Sequence, residues 1–232
     1  MKKLLFMAFL AVGMTANAET FFEDDDDNAK EGLELSKDED ESWSMHLQLG
    51  VGIPTGTPDG VDFAPFRSWE FQWTILQYGY TPKNTKTTFS VGMGFNWRNY
   101  TLSGHDKMFS KVNDVTLVTP SASTMHELSS SIHTTSLSMP LLVKQRFSKD
   151  FALSLGAQLN YNFHGRVINE YEHGDDDVDI STKKIGERPF TVDLLGIVHV
   201  WQLGIYCKYS PMSVLKKDRG PEFKSLAVGI YF

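Results

Sequence analysis

Ser225-Leu226-Ala227-Val228-Gly229-Ile230-Tyr231-Phe232 is the stretch whose reading decides the fold. Leu226, Val228, Ile230 and Phe232 alternate with Ser225, Ala227, Gly229 and Tyr231, so one face of the extended chain is apolar and the other mostly small or polar. A period of two is the spacing of a β-strand, whose successive side chains leave on opposite faces.

The same design recurs upstream. Trp201, Leu203, Ile205, Cys207 and Tyr209 share a face, as do Phe151, Leu153, Leu155, Ala157, Leu159, Tyr161 and Phe163. Phe89, Val91, Met93, Phe95 and Trp97 form another such row, Trp69, Phe71, Trp73 and Ile75 a fourth, and Trp43, Met45, Leu47, Leu49, Val51 and Ile53 a fifth. Two further segments are less regular. Leu137–Phe147 contains Pro140, which removes a ladder donor and predicts a bulge, and the stretch Phe190–Val198 is mixed because Leu195 and Ile197 break the alternation. The total is eight strands.

Alternation does not say whether the apolar face meets a dry core or lipid, since lipocalin-like and membrane barrels both alternate. Connection lengths decide it. Those near 54–65, 99–132, 165–187 and 211–222 are long, and those near 79–87, 148–150 and 199–200 are short, the rhythm of a membrane barrel with loops on one side and turns on the other. The opposite face is rich in glycines and amides that suit a dry core poorly. Trp43, Trp69, Trp97, Trp201, Tyr209 and Phe232 crowd strand ends as interfacial girdles do. Strands of about eleven residues tilted by about 40° would cross about 27 Å, close to the apolar band of such barrels. The predicted fold is all-β, an eight-stranded antiparallel up-and-down transmembrane β-barrel over residues 43–232, with both termini on the side of the short turns.

The N-terminal segment reads differently. Lys2 and Lys3, an apolar run from Leu4 to Val12 and a small-residue exit at Ala16-Asn17-Ala18 predict a signal peptide over 1–18, too short to span a membrane. Residues 19–42 then hold twelve acids against two bases, a net of −10 in a chain whose total is −7. Such a segment is expected to be a disordered periplasmic extension, solvated or in weak electrostatic contact, with cation or basic-partner binding by Asp24–Asp27 as the alternative. The single cysteine, Cys207, leaves no internal disulfide and lies far from the cleavage site, where a lipid-anchored cysteine would have to be.

Ser138-Met139-Pro140-Leu141-Leu142-Val143-Lys144, Tyr209-Ser210-Pro211-Met212 and the last eight residues resemble the small outer-membrane β-barrel proteins of Bacteroidetes, the PorT-like group. The resemblance covers most of residues 43–232. It implies fold and an outer-membrane location in a Gram-negative bacterium, whereas the secretion role of some relatives has no residue here to carry it. The terminal strand likewise resembles the assembly signal of outer-membrane barrels, which makes Leu226, Val228, Ile230 and Phe232 candidates for contact with the barrel assembly machinery.

An eight-stranded barrel has a lumen that side chains can fill. Glu70, Arg98, Lys144, Arg146, Asp193 and Lys208 are the predicted inward charges, with His46, His164 and His199 near them in the pattern. A salt-bridged plug is the expected arrangement, and a relay or anion-selective site, suggested by the two extra bases, is the alternative.

Two loops carry chemistry-bearing types. Asn99–Ile132 contains His105, Asp106, Asp114, His126, Glu127 and serines 121, 123, 129, 130 and 131, the types used in acyl transfer but without a nucleophile motif. Loop 165–187 contains Glu170, Glu172, His173, Asp175, Asp176, Asp177 and Asp179. Asp175, Asp177 and Asp179 have the spacing of the first ligands of a calcium loop, but Ile180 replaces its glycine and Gly186 its glutamate, so Glu172, His173, Asp175, Asp177 and Asp179 are metal candidates outside any EF-hand. The expectation is a barrel that is not an enzyme, needs no cofactor, binds no nucleic acid, and acts through loops on lipid, lipopolysaccharide or a periplasmic or surface protein. The alternative is a barrel enzyme acting on lipid A or other lipids.

Overall fold

The computed structural model describes residues 37–38, 41–122, 125–174, 176–201 and 203–232. The expected signal peptide and nearly all of the acidic segment lie outside these. The described chain forms β1 (Lys37–Asp38), β2 (Glu41–Thr55), β3 (Trp69–Tyr80), β4 (Thr87–Thr101), β5 (Lys107–Val112) and β6 (Val115–Pro120). It continues with β7 (His126–Arg146), β8 (Phe151–His173), β9 (Asp176–Lys183), β10 (Phe190–Val200), β11 (Leu203–Ser210) and β12 (Lys224–Tyr231). The barrel wall begins at Glu41, two residues earlier than the alternation indicated, and β1 turns back on its first two residues.

Eight of these strands close on themselves. Antiparallel ladders join β2, β3, β4, β7, β8, β10, β11 and β12 in turn, and β12 returns to β2 with Val228 opposite Val51 and Ile230 opposite Leu49. Beyond the ladder, Leu47 and Phe232 exchange both backbone hydrogen bonds, at 2.6 and 2.9 Å. Following the register round the ring from Val51 through Val228, Cys207, Gly196, Leu155, Val143, Phe89 and Tyr80 returns to β2 at Glu41, ten residues lower. That stagger sets a strand tilt of about 40° and leaves no open edge in the ring.

The orientation of the two faces settles which solvent the wall fits. Leu49, Met93, Leu155, Leu194, Ile205 and Ile230 are exposed on the outside, whereas Gln48, Gln72, Asn96, Gln158, Asp193 and Lys208 are buried inside. A lipocalin-like barrel has the reverse arrangement. The two breaks in the sequence pattern have separate causes. Leu195 and Ile197 point inward and join Leu142, Tyr206, Ala227 and Tyr231 in a small apolar cluster within the barrel. Pro140 makes no bulge, because the β4–β7 and β7–β8 registers are the same on either side of it. The bulges lie between Ser44 and His46, Thr74 and Leu76, His126 and Ser129, and Thr135 and Ser136.

Room for the inner side chains is made locally. A Cβ on Gly50 would lie 2.2 Å from the Tyr206 hydroxyl oxygen and 2.7 Å from the Val228 carbonyl oxygen, so glycine is what lets the Tyr206 ring cross the lumen there.

The long-loop end is more ordered than its polar composition indicated. Segment 165–187 is largely strand: β8 runs on through His173 and β9 returns beside it. Segment 99–132 contains the β5–β6 hairpin. Val61, Leu102, Phe109, Ile185, Val214, Leu215 and Phe223 from the loops pack on Tyr100, Ile132 and Val167, which continue the wall strands β4, β7 and β8. Phe223 meets Tyr100 edge-on at 5.2 Å and Phe63 at 4.7 Å. The loops thus form an apolar cap with its own core at that end of the barrel.

Candidate functional site

Glu70 on β3 and Arg98 on β4 are direct cross-strand partners, so both side chains leave on the inner face. Arg98 is long enough to reach across the lumen, where its guanidinium pairs with Asp193 of β10, and its Nε lies 3.5 Å from Glu70. Lys208 of β11 pairs with the other oxygen of Glu70 and donates to Gln72 Oε1 at 2.8 Å. Asn160 donates to Asp193 at 2.7 Å, and Ser210 donates to the second Asp193 oxygen. Two acids and two bases are therefore buried together, each charge facing an opposite one.

This neutral set differs from the expected six. Lys144 is half-buried toward the short-turn end. Arg146 is a correction: it is exposed, at the last position of β7. Without those two bases the charges described at the centre of the lumen balance, two acids against two bases. What the geometry provides is a cross-braced plug in a low-dielectric space, where an unpaired charge would be costly and a satisfied network rigid.

The short-turn end of the lumen holds imidazoles. His199 shares a hydrogen bond with Ser154 at 2.8 Å, His46 one with Ser44 at 2.8 Å, and the Tyr231 ring packs against both, 4.8 Å from His46 and 5.5 Å from His199. His164 is not part of this group. The bulge at Thr135–Ser136 shifts the phase of β8, and His164 pairs with Thr135.

The loop serines and histidines act as stitches. The Phe109 amide donates to Ser130 Oγ, which donates to Asn169, and Asn169 donates back to the Phe109 carbonyl, so β5, β7 and β8 are pinned together. His105 is bonded to the Leu128 carbonyl, Ser121 to the His105 carbonyl, and Ser129 to Arg67. Asp114 pairs with Lys111 at 2.8 Å, and this hydrogen bond and charge hold its carboxyl below the usual range. A Ser131–His133 contact at 3.0 Å lies beside Trp69, and Ser123 is outside the described residues.

The acidic loop forms a ribbon. Glu170 pairs with Asp179 and Glu172 with Asp177, which places four carboxylates on one face of β8 and β9, while His173 pairs with Asp176. Asp175 lies outside the described residues. Among the described residues no group of three or more His, Cys, Asp or Glu is placed to hold a metal ion. Like charges directly opposed on a ribbon repel. Asp177→Asn with Asp179→Asn is therefore expected to leave the folded barrel intact and to raise its urea midpoint slightly in low salt. The gain should fade as salt screens the exposed charges. The midpoint measured at two ionic strengths checks this.

A recess of about 400 Å³ opens at the loop end, lined by Lys184, Lys216 and Arg219 together with Asp114 and Glu187. Sequence reading missed it because its residues come from three loops. They meet through backbone hydrogen bonds from Lys216 to Gly186 and from Thr116 to Arg219.

No family model matches the chain, and no curated protein matches it. Among solved structures, the crystal structure of Ail, the attachment invasion locus protein of Yersinia pestis, is similar at 11% identity with a TM-score of 0.34, over 84% of this chain and 99% of that one. Ail in complex with the heparin analogue sucrose octasulfate is similar at 13% identity with a TM-score of 0.38, over the same shares. The functional reading rests on this chain's own side chains.

Proposed function

We propose that this chain is a non-enzymatic integral outer-membrane β-barrel that presents its capped loop end at the cell surface as an interaction platform. The observation that carries the reading is the inverted wall, with large apolar side chains outside a closed ring and a neutral charged plug within. A filled lumen and an apolar cap suit a binding surface better than a diffusion pore. The mixed-charge recess between Lys184, Lys216 and Arg219 is the place in the cap for a ligand with anionic groups, such as lipopolysaccharide. Both ends of the barrel wall, Glu41 and Phe232, lie at the short-turn end, which this reading places in the periplasm. A place in the PorT-like group belongs to the same reading, as does recognition of Leu226, Val228, Ile230 and Phe232 by the barrel assembly machinery.

Protease treatment of intact cells tests it. Cleavage within loop segments 102–125 or 211–223, with the acidic segment protected until the outer membrane is broken, is the expected result. A soluble protein whose electrophoretic mobility is unchanged by boiling would contradict the membrane reading.

A further inference from the structure

The short-turn end of the barrel carries a basic rim. Lys83 and Lys86 lie in the turn between β3 and β4, and Arg146 and Lys149 lie at the turn between β7 and β8. All four are exposed, and half-buried Lys144 adjoins them. The two turns are neighbours because β4 pairs with β7, with Thr88 opposite Lys144 and the Arg146 amide donating to the Lys86 carbonyl at 2.9 Å. Asp150 is the one acid within these turns. The acidic N-terminal segment joins the barrel beside this rim, since Glu41, where β2 begins, pairs with Tyr80 at the foot of the Lys83 turn.

We propose that this rim is a docking surface for the part of the chain's own acidic segment that precedes β1, residues 19–36, and in particular for Asp24–Asp27. Charge complementarity is strong, because residues 19–42 carry a net of −10. Tethering is the second argument. A segment attached next to its site meets it at a high effective concentration, so contacts too weak to hold a free peptide hold a linked one. The nine residues between Asp27 and Lys37, where β1 begins, are enough chain to reach across one strand-to-strand turn. The aspartates recognise ammonium and guanidinium groups by charge without a shaped pocket, which makes the contact reversible and steeply dependent on salt. The segment is then a built-in occupant of the rim and holds other polyanions off it.

The test uses the chain from Glu19 folded in an uncharged detergent, with a spin label on Asn28→Cys in a Cys207→Ser background. At about 50 mM salt the label should be immobilised, and at about 500 mM it should become mobile. Replacing the four exposed bases (Lys83→Gln, Lys86→Gln, Arg146→Gln, Lys149→Gln) should make it mobile at both, with an unchanged heat-shifted band showing that the barrel is folded. Cleavage of the segment by a Glu-specific protease should be about tenfold faster in that variant at low salt. Equal mobility and equal cleavage in the two proteins would overturn the proposal. So would a mobile wild-type label in a protein that binds phosphatidylglycerol vesicles through the same four bases, which would make the rim a lipid-facing patch.

Discussion

Arg98→Ala is expected to cost about 3–5 kcal/mol of unfolding free energy, measured by urea titration of the folded barrel in detergent. The size follows from what is left behind. Arg98 is 5% exposed, and its removal strands Asp193, which is fully buried, and takes one of two cations from Glu70. The loss is therefore the cost of an unpaired buried charge, not merely the worth of one contact. Arg98→Met with Asp193→Asn should recover a large part of it, because both charges leave together, and the double-mutant cycle reads their coupling. Arg146→Met, a change at the exposed rim, should alter stability by less than about 0.5 kcal/mol. A loss below about 1 kcal/mol for Arg98→Ala would mean that the plug does not brace the barrel.

Leu155→Arg is the second large effect, with an expected loss of about 2–4 kcal/mol in a bilayer. Leu155 is 57% exposed on the outer face of β8, between the aromatic residues Phe151 and Phe163. Leu117 on the β5–β6 hairpin is comparably exposed, at 43%. Leu117→Arg should nevertheless be nearly silent, within about 0.5 kcal/mol, because that hairpin stands in water. Comparable exposure with unequal cost is the signature of two solvents, and unfolding titrations in vesicles compare them directly. If both substitutions were silent, the outer face would be in contact with water.

The wall strands were legible because a single physical rule governs each of them. Phe151 to Phe163 and Leu203 to Tyr209 alternate without interruption, since one neighbour is lipid-like and the other is a polar lumen. Leu195 and Ile197 obscured β10 because they break that rule to fill the inner cluster beside Tyr206. The cap was illegible for a different reason. Val61, Phe109, Ile185, Leu215 and Phe223 come singly from separate polar stretches, and no local period marks residues whose partners are distant in sequence. β9 and the far half of β8 read as loop because both faces of a ribbon in water can be polar. For the plug, parity placed Glu70, Arg98, Asp193 and Lys208 on the inner face, but it could not tell that Arg146, at the last position of β7, is exposed. The bulge at Thr135–Ser136, which took His164 out of phase, leaves no mark in composition at all.

Cys207 offers the most direct test of the central claim, that the outer face of this ring is solvated by lipid. It is the only cysteine, it lies on the outward face of β11 between Ile205 and Tyr209, and it is exposed. A fluorescent label on this thiol in the wild-type chain, reconstituted in vesicles, should be quenched most strongly by lipids carrying a spin label midway along the acyl chain. Headgroup-labelled lipids should quench it less, and aqueous iodide barely at all. Strong quenching by iodide with none from the acyl chains would contradict the account.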